Sequence, residues 1–245
     1  MGREGEDMKL QGKKVVIIGG SSGIGLATAK AAVAEGAQVI IASRSEEKLR
    51  KAAAEIKGKV ESFPVNTLEE SSVKALFGRV GDFDHLATPG SEAAWGPFLE
   101  MDLHPAKSGF DSKFWGQYLA AKYAAPKIRR GGSITLFSGA YSQRPGRGAT
   151  LLSAINSAVE GLGRALALEL SPIRVNVISP GLVDTPIYSG MPEDKRKAMF
   201  NAVAGANLVK RIGKPEDIAE TALYLMNNGY TTGSTLYVEG GIMLR

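Results

Sequence analysis

Short apolar runs alternate with amphipathic stretches along the whole chain. β-Branched residues fill positions 15–18, and the same buried-strand character recurs at 38–42, 60–65, 83–87, 133–138, 174–179 and 235–238. Between the runs, apolar residues recur at helical spacing, as Leu49, Ala52 and Ile56 do. Helices are expected after residue 25 and over 46–57, 71–80, 110–128, 154–170 and up to 226. This alternation predicts a doubly wound α/β fold, a parallel sheet covered by helices on both faces.

Two segments lack a regular pattern. Residues 91–109 are rich in turn-forming residues and are expected to be irregular. Residues 182–208 show no strand pattern but carry apolar side chains that look exposed (Tyr188, Met191, Met199 and Phe200), which predicts a mobile lid over a substrate. No repeat or linker divides the chain, so we expect one domain over 12–245 after a flexible segment at 1–11.

A glycine-rich turn joins the first strand to the first helix. It contains Gly19, Gly23 and Gly25, so free backbone N–H groups at a helix N-terminus can face an anion. Gly19 permits the sharp turn, Gly23 lets the backbone approach a pyrophosphate, and Gly25 allows close packing of helix on strand. The motif predicts dinucleotide binding by Gly19, Ser21, Ser22, Gly23 and Ile24.

The end of the second strand indicates which dinucleotide binds. A carboxylate at this position would bind the ribose hydroxyls of NAD(H), whereas an arginine would pair with the 2′-phosphate of NADP(H). The chain has Ser43 and Arg44 here, which favours NADP(H). A solvated arginine at a strand end is the alternative.

Composition narrows the class of partner. The net charge of +5 comes from scattered lysines and arginines, so we expect no nucleic-acid partner. Cysteine is absent, and His85 and His104 lack ligand spacing, so no metal site is expected. No apolar run approaches the roughly 18 residues of a membrane span, and residues 1–8 lack a signal core, so we expect a cytoplasmic protein without a membrane anchor.

From about residue 12 onwards the chain resembles the short-chain dehydrogenase/reductase family. The resemblance is carried by the Gly-x-x-x-Gly-x-Gly turn and by residues 174–176, 180–185, 211–217, 232–233 and 239–241. It implies a Rossmann-type domain whose further cofactor contacts are Asn66, Thr67, Gly90, Pro180, Gly181, Val183 and Thr185. Asn66 replaces the usual Asp, and Ala87-Thr88-Pro89-Gly90 replaces Asn-Asn-Ala-Gly.

The catalytic tetrad of that family, Asn, Ser and Tyr-x-x-x-Lys, is missing. The flanking residues place its members on Gln117, Gly139, Leu152 and Asn156, and Leu152 can carry no proton. The Tyr-x-x-x-Lys sequence from Tyr118 to Lys122 falls on the wrong helix, about 100° round from Gln117.

Three other side chains are the candidate catalytic groups: Ser138, Gln117 and Lys113. Ser138 could donate a hydrogen bond to a carbonyl, Gln117 could hold a water or the substrate, and Lys113, four residues before Gln117, could supply the proton. In the competing account residue 139 faces the nicotinamide and residue 138 points the other way, because neighbouring strand residues alternate.

Two functions stay open. One is an NADP(H)-dependent oxidoreductase that acts on a carbonyl, an alcohol or an activated double bond of a small-molecule substrate, with a non-standard proton donor. The other is an inactive NADP(H)-binding sensor or structural protein, which the loss of the tetrad favours. The resemblance also implies a homodimer or homotetramer through the helices at 110–128 and 154–170, where small residues allow close contact.

Overall fold

A computed structural model describes residues 9–90 and 95–245. Seven parallel strands form one sheet in the order β3-β2-β1-β4-β5-β6-β7. The strands are β1 Lys14–Ile18, β2 Gln38–Ser43, β3 Val60–Pro64, β4 Phe83–Ala87, β5 Ile128–Phe137, β6 Arg174–Pro180 and β7 Thr235–Val238. Each predicted strand is therefore present, β4 and β7 with the predicted bounds.

Helices connect the strands. They are α1 Gly23–Ala34, α2 Glu46–Glu55, α3 Glu70–Val80, α4 Leu103–Phe110, α5 Gly116–Ala124, α6 Thr150–Glu169, α7 Glu193–Ala206 and α8 Pro215–Asn227. A π-helical turn, Asp111–Trp115, joins α4 to α5, and short 3₁₀ turns cover Ala125–Lys127, Ala140–Ser142, Pro186–Tyr188 and Ile242–Leu244.

Successive residues of β1 point to opposite faces of the sheet, and each face has its own core. Val15 and Ile17 pack under α1, α2 and α8, whereas Val16 and Ile18 pack under α3, α5 and α6. Every strand of the sheet centre is buried on both faces, which explains its unbroken apolar sequence. The doubly wound α/β prediction is confirmed.

The chain reverses direction across the sheet beside β1, which lies between β2 and β4. The loops that leave the carboxyl ends of β1 and β4 meet here, since the Gly90 N–H donates to the Ile18 carbonyl at 3.2 Å. Ligands of open parallel sheets bind at such a point.

Several element predictions were wrong in detail. Residues 103–110 are helical, not irregular, and the helix expected over 110–128 is interrupted by the π-helical turn. Strand β5 begins at Ile128 rather than 133, because Gly131, with φ +85°, lets the polar stretch 129–132 join the sheet through an irregular register. In the segment 182–208, helix α7 forms, and the four apolar side chains expected to be exposed are half-buried.

The structure also shows where the folded domain begins. Leu10 is 1% exposed, and its N–H donates to the Glu35 carbonyl, so the packed domain starts before the expected residue 12. Residues 1–8, most of the segment predicted to be flexible, lie outside the described residues. Over 9–90 and 95–245, no helix combines the length and apolarity of a membrane span, and no three potential metal ligands cluster.

Candidate active site

The glycine turn after β1 is packed so tightly that side chains are excluded. A Cβ on Gly19, whose φ is +90°, would lie 2.3 Å from the Gly90 Cα, and a Cβ on Gly25 would lie 2.1 Å from the Gly19 carbonyl oxygen. Such distances are far below van der Waals contact, so glycine is required at these positions. The roles predicted for Gly19 and Gly25 follow from this geometry.

The N-terminus of α1 is open to an anion. Ser22 is its N-cap but makes no side-chain capping bond, and the first turn carries no acidic residue. Ser22 is exposed, whereas Ser21 and Ile24 are half-buried. A Cβ on Gly23 would touch the Thr185 side chain at 3.3 Å, so the glycine turn lies against the segment that follows β6. The free N–H groups and the helix dipole here suit a pyrophosphate.

A hollow lies beyond the end of β2, where the adenosine of a dinucleotide would be expected. It has a volume of about 400 Å³ and is lined by Arg44, Pro64, Val65, Asn66 and Ser72. The Ser43 hydroxyl is buried beside it without a hydrogen-bond partner. A 2′-phosphate could accept bonds from both Ser43 and Arg44.

Asn66 and Thr67 lie in the turn before α3, and Asn66 also lines this hollow. The Asn66 Nδ2 donates to Glu69 at 2.8 Å, and its Oδ1 accepts from the Leu68 N–H at 3.2 Å. The Asn66 oxygen therefore keeps one lone pair for another donor. Thr67 packs its hydroxyl against the first residue of α5, where a Cβ on Gly116 would lie 3.1 Å away.

The segment after β6 is fixed by backbone contacts. Gly181, which follows Pro180, donates to the Val238 carbonyl at 3.0 Å, and a Cβ on it would lie 2.8 Å from the Glu239 Cα. Val183 is buried and bridges to Gly213, and Thr185 remains half-buried facing the glycine turn. The predicted cofactor residues of β1 and β6 therefore lie along one edge of the sheet.

At the tetrad positions, Asn156 and Gly139 interlock. Asn156 is 1% exposed, and a Cβ on Gly139 would lie 2.9 Å from its Nδ2. The amide thus fills the space in which a side chain at 139 would begin, which explains why glycine replaces serine there. The Asn156 Oδ1 is buried without a partner.

The Lys113 side chain also extends to the region of Gly139, from the segment between α4 and α5. It lies in the π-helical turn, and its Nζ donates to the Ser138 carbonyl oxygen at 3.0 Å. Burial lowers the pKa of its ammonium to about 8. Within 9–90 and 95–245 it forms no ion pair with a carboxylate. A cation with an incomplete set of acceptors therefore stands beside the 138–139 peptide.

The Gln117 side chain uses its hydrogen-bonding groups to hold neighbouring segments of the site together. Its Oε1 accepts from Thr88 at 2.8 Å and from the Phe137 N–H at 2.7 Å, and its Nε2 donates to the carbonyls of Lys113 and Phe137 at 2.8 and 3.0 Å. The amide is 2% exposed, and its two donors and two acceptor sites are all used. This arrangement ties β4 and β5 to the π-helical turn and leaves no atom of the amide for a substrate.

The Ser138 hydroxyl is also occupied. It donates to Glu160 Oε1 at 3.0 Å. Glu160 is 2% exposed and also accepts from Ser142, Gln143 and Tyr237. Sequence reasoning missed Glu160, because a single acid on an amphipathic helix normally belongs to its solvated face.

The Tyr118–Lys122 pair lies elsewhere, as expected. Lys122 pairs with Glu70 at 2.9 Å, and the Tyr118 ring packs against Phe114 and Trp115 on the outer face of α5. This pair therefore has a structural role.

The described residues fit a dinucleotide. Backbone packing at Gly19 and Gly90 and the open N-terminus of α1 form a phosphate site. The Ser43 hydroxyl, which is buried without a hydrogen-bond partner, lies at the end of β2 next to Arg44 and the hollow.

Comparison with known proteins agrees with this geometry. A family model described as enoyl-(acyl carrier protein) reductase matches residues 19–243. The short-chain dehydrogenase/reductase ATR9 of Stachybotrys chlorohalonatus is 34% identical, over 96% of this chain and 99% of that protein.

Solved structures match as closely. A small-chain dehydrogenase in complex with NADPH superposes with a TM-score of 0.85 at 38% identity, covering 95% of this chain and 99% of that one. The MalC reductase/Diels-Alderase of Malbranchea aurantiaca gives 0.90 at 31% identity, covering 98% and 99%. On these grounds, and with the parallel sheet, the glycine turn and the segment after β6 in place, the chain belongs to the short-chain dehydrogenase/reductase family of oxidoreductases.

Proposed function

We propose that the protein is an NADP(H)-dependent oxidoreductase that interconverts a carbonyl and an alcohol, or reduces an activated double bond, with Lys113 as the proton donor. The observation that carries this proposal is the Lys113 ammonium, which is 3.0 Å from the Ser138 carbonyl and beside Gly139. In the family pattern, positions 139 and 156 hold a catalytic serine and lysine. Here the cation comes from the π-helical turn instead.

The cofactor supplies a hydride to or from the substrate when bound. Gly19, Ser21, Ser22, Gly23 and Ile24 would hold its pyrophosphate. Ser43 and Arg44 would bind the 2′-phosphate in the hollow beyond β2, with Asn66 and Thr67 at the adenine and Gly90 beneath. Pro180, Gly181, Val183 and Thr185 would bind the nicotinamide end. The NADPH complex of the 38% identical relative supports the preference for NADP(H).

Lys113 has the properties of a general acid near neutral pH. A lysine with a pKa of about 8 is mostly protonated at pH 7 and yet releases its proton more readily than an exposed lysine would. Its one bond to a backbone carbonyl leaves further N–H donors for a substrate oxygen. Buried lysines are tuned by desolvation in this way.

Ser138 and Gln117 take positioning roles in this proposal. Gln117 accepts and donates four bonds that hold the turn bearing Lys113 against β5, and Ser138 supplies the carbonyl that orients the ammonium. The Ser138 hydroxyl donates its proton to Glu160 and so has no donor left for a substrate. These assignments replace the direct substrate contacts expected for both residues.

The alternative function is an NADP(H)-binding protein without catalysis. The observation that favours it is the Gly139–Asn156 interlock, which removes both the serine hydroxyl and the space for it, while Leu152 removes the phenol. Loss of a general acid typically costs about 10²–10⁴-fold in rate, which weakens an enzyme without abolishing its turnover.

Single-turnover oxidation of bound NADPH separates the two functions. The protein is mixed with a stoichiometric amount of NADPH and then with a panel of aldehydes, ketones and enones, and the loss of reduced-nicotinamide absorbance is followed. Oxidation above the rate in free solution by at least one carbonyl class supports the enzyme. Tight binding of NADPH without oxidation by any compound supports the binding protein.

We also propose that the protein assembles as a homodimer or homotetramer through α5 and α6. Leu168 is 85% exposed on α6, and Trp115 and Tyr118 are 47% and 37% exposed in the π-helical turn and α5, so these helices present apolar side chains that a second copy could cover. Small residues on α6, Ala158 and Gly161, would allow close helix contact. Arginine at both positions should yield a smaller species in sedimentation, and a monomeric unmodified protein would contradict the proposal.

A further inference from the structure

Two pairs of aromatic side chains stand at the open end of the candidate site. Trp95 and Tyr141 meet edge to face with ring centroids 5.3 Å apart, and Tyr188 and Phe200 do the same at 5.6 Å. The first pair joins the loops after β4 and β5, and the second joins the segment after β6 to α7. Neither pair belongs to the core of the sheet.

The chain places these rings next to the reacting position. Tyr141 follows Gly139 by two residues in the 3₁₀ turn Ala140–Ser142. The Tyr188 N–H donates to the Thr185 carbonyl at 3.2 Å, and Thr185 in turn touches the glycine turn at Gly23. The two pairs therefore adjoin the nicotinamide end of the site from its β5 side and its β6 side.

Tyr141 of the first pair and Tyr188 of the second pair are close enough to interact. Burial raises the pKa of Tyr188, and the proximity of Tyr141 raises it further. Burial raises the pKa of Tyr141 as well. Within the described residues neither phenol hydroxyl has a hydrogen-bond partner. Buried or half-buried phenols normally find one, so these two are available to a ligand.

The position of the tetrad tyrosine also carries an apolar side chain. Leu152 replaces the phenol of the family pattern and is half-buried on α6. Trp95 is 59% exposed, with its indole nitrogen turned towards the backbone of Gly148, 3.5 Å from a Cβ built there. An edge-to-face pair leaves one face of each ring free, which a second planar ring can cover.

We infer that the substrate is a planar aromatic carbonyl compound, held between the Trp95–Tyr141 pair and the Tyr188–Phe200 pair. This inference rests on the proposed function for the carbonyl group, while the aromatic part rests on the rings themselves. A saturated ring of the same size is thicker and lacks the π-face, so it loses the stacking contribution but keeps the carbonyl.

Binding without turnover tests the inference. Calorimetric titration of the protein saturated with NADP⁺ compares acetophenone with cyclohexyl methyl ketone, which share a methyl ketone and a six-membered ring. Two aromatic contacts predict that acetophenone binds about tenfold more tightly. Equal affinity, tighter binding of the saturated ketone, or no saturable binding of acetophenone overturns the inference.

Matched variants locate the effect. Trp95→Leu and Phe200→Leu should each reduce the ratio of the two dissociation constants several-fold. Tyr230→Leu, which replaces an aromatic side chain that is 99% exposed between α8 and β7, should leave the ratio unaltered. Unchanged NADP⁺ affinity of all variants shows that they are folded. A ratio that persists in both site variants, or falls equally in the control, contradicts the assignment.

The outcomes for the two proposals are separable. Preference for acetophenone in binding, with no oxidation of NADPH by either ketone, supports this inference and contradicts the enzymatic function. Oxidation of NADPH by both ketones at equal rates and with equal affinities supports the enzyme and overturns the aromatic substrate class.

Discussion

Replacement of Gly139 by alanine tests whether the altered tetrad positions are packed as a unit. Gly139 has φ 172°, an extended conformation that alanine adopts without strain, so any cost must come from the added methyl group. That methyl would lie 2.9 Å from the Nδ2 of Asn156, whose side chain is 1% exposed. Because Asn156 is buried, we expect an overpacking cost, which is typically about 1–3 kcal/mol in the free energy of unfolding.

Urea unfolding of four proteins measures the cost and its cause. The unmodified protein, Gly139→Ala, Asn156→Ala and the double variant form a double-mutant cycle, and removal of the amide should relieve the clash. We expect Gly139→Ala to destabilise the unmodified protein but not the Asn156→Ala variant, with a coupling of about 1 kcal/mol or more. Gly190→Ala is the control, because a Cβ there meets nothing within 4 Å.

A zero coupling would refute this reasoning, as would a cost for Gly139→Ala no larger than that of Gly190→Ala. Either result would mean that the space beside residue 139 is open. A serine could then be restored there without consequence, and its loss would need another explanation.

Three further changes test the cofactor site and its support. Arg44→Asp should reduce or reverse the preference for NADPH over NADH in a binding titration. A charge-assisted bond to the 2′-phosphate is worth about 1.5–3 kcal/mol, or roughly 10- to 150-fold in affinity. Equal affinities of the unmodified protein for NADPH and NADH would contradict the role of Arg44. Gly19→Ala should abolish detectable NADPH binding in the same assay, because its methyl group would lie 2.3 Å from the Gly90 Cα. Glu160→Gln should lower the free energy of unfolding by about 1–3 kcal/mol, because the amide replaces an acceptor of buried hydroxyls with a donor; unchanged urea denaturation would contradict this.

The sheet and its cofactor edge could be predicted from local sequence because they depend on local signals. Strands buried on both faces need continuous apolar runs, as at 83–87, and the glycine turn needs residues without a Cβ at fixed spacing. The positions that correspond to the missing tetrad could be located for the same reason, because the motifs on either side identify Gly139 and Asn156.

Features that depend on contacts between distant segments could not be predicted. Strand β5 incorporates residues 129–132, whose polar sequence gives no strand signal. They form an irregularity between the pairs Phe83–Ile128 and His85–Ser133, which only the pairing of β4 with β5 defines. The bonds of Gln117 to Phe137 and of Ser138 to Glu160 join residues about twenty positions apart, so no pattern along the chain indicates that these side chains are occupied. Lys113 was identified from its spacing to Gln117, but its bond to the Ser138 carbonyl needed the structure.

The pH dependence of single-turnover NADPH oxidation in Lys113→Met tests the central claim most directly. An acid with a pKa of about 8 is protonated below that pH, so the reduction rate of the unmodified protein should be constant at lower pH and fall as the pH rises through about 8. Lys113→Met should react about 100-fold more slowly at pH 7, show no fall near pH 8, and bind NADPH normally, while Lys122→Met behaves as the unmodified protein. A Lys113→Met protein that keeps the rate and the pH profile of the unmodified protein would contradict the account.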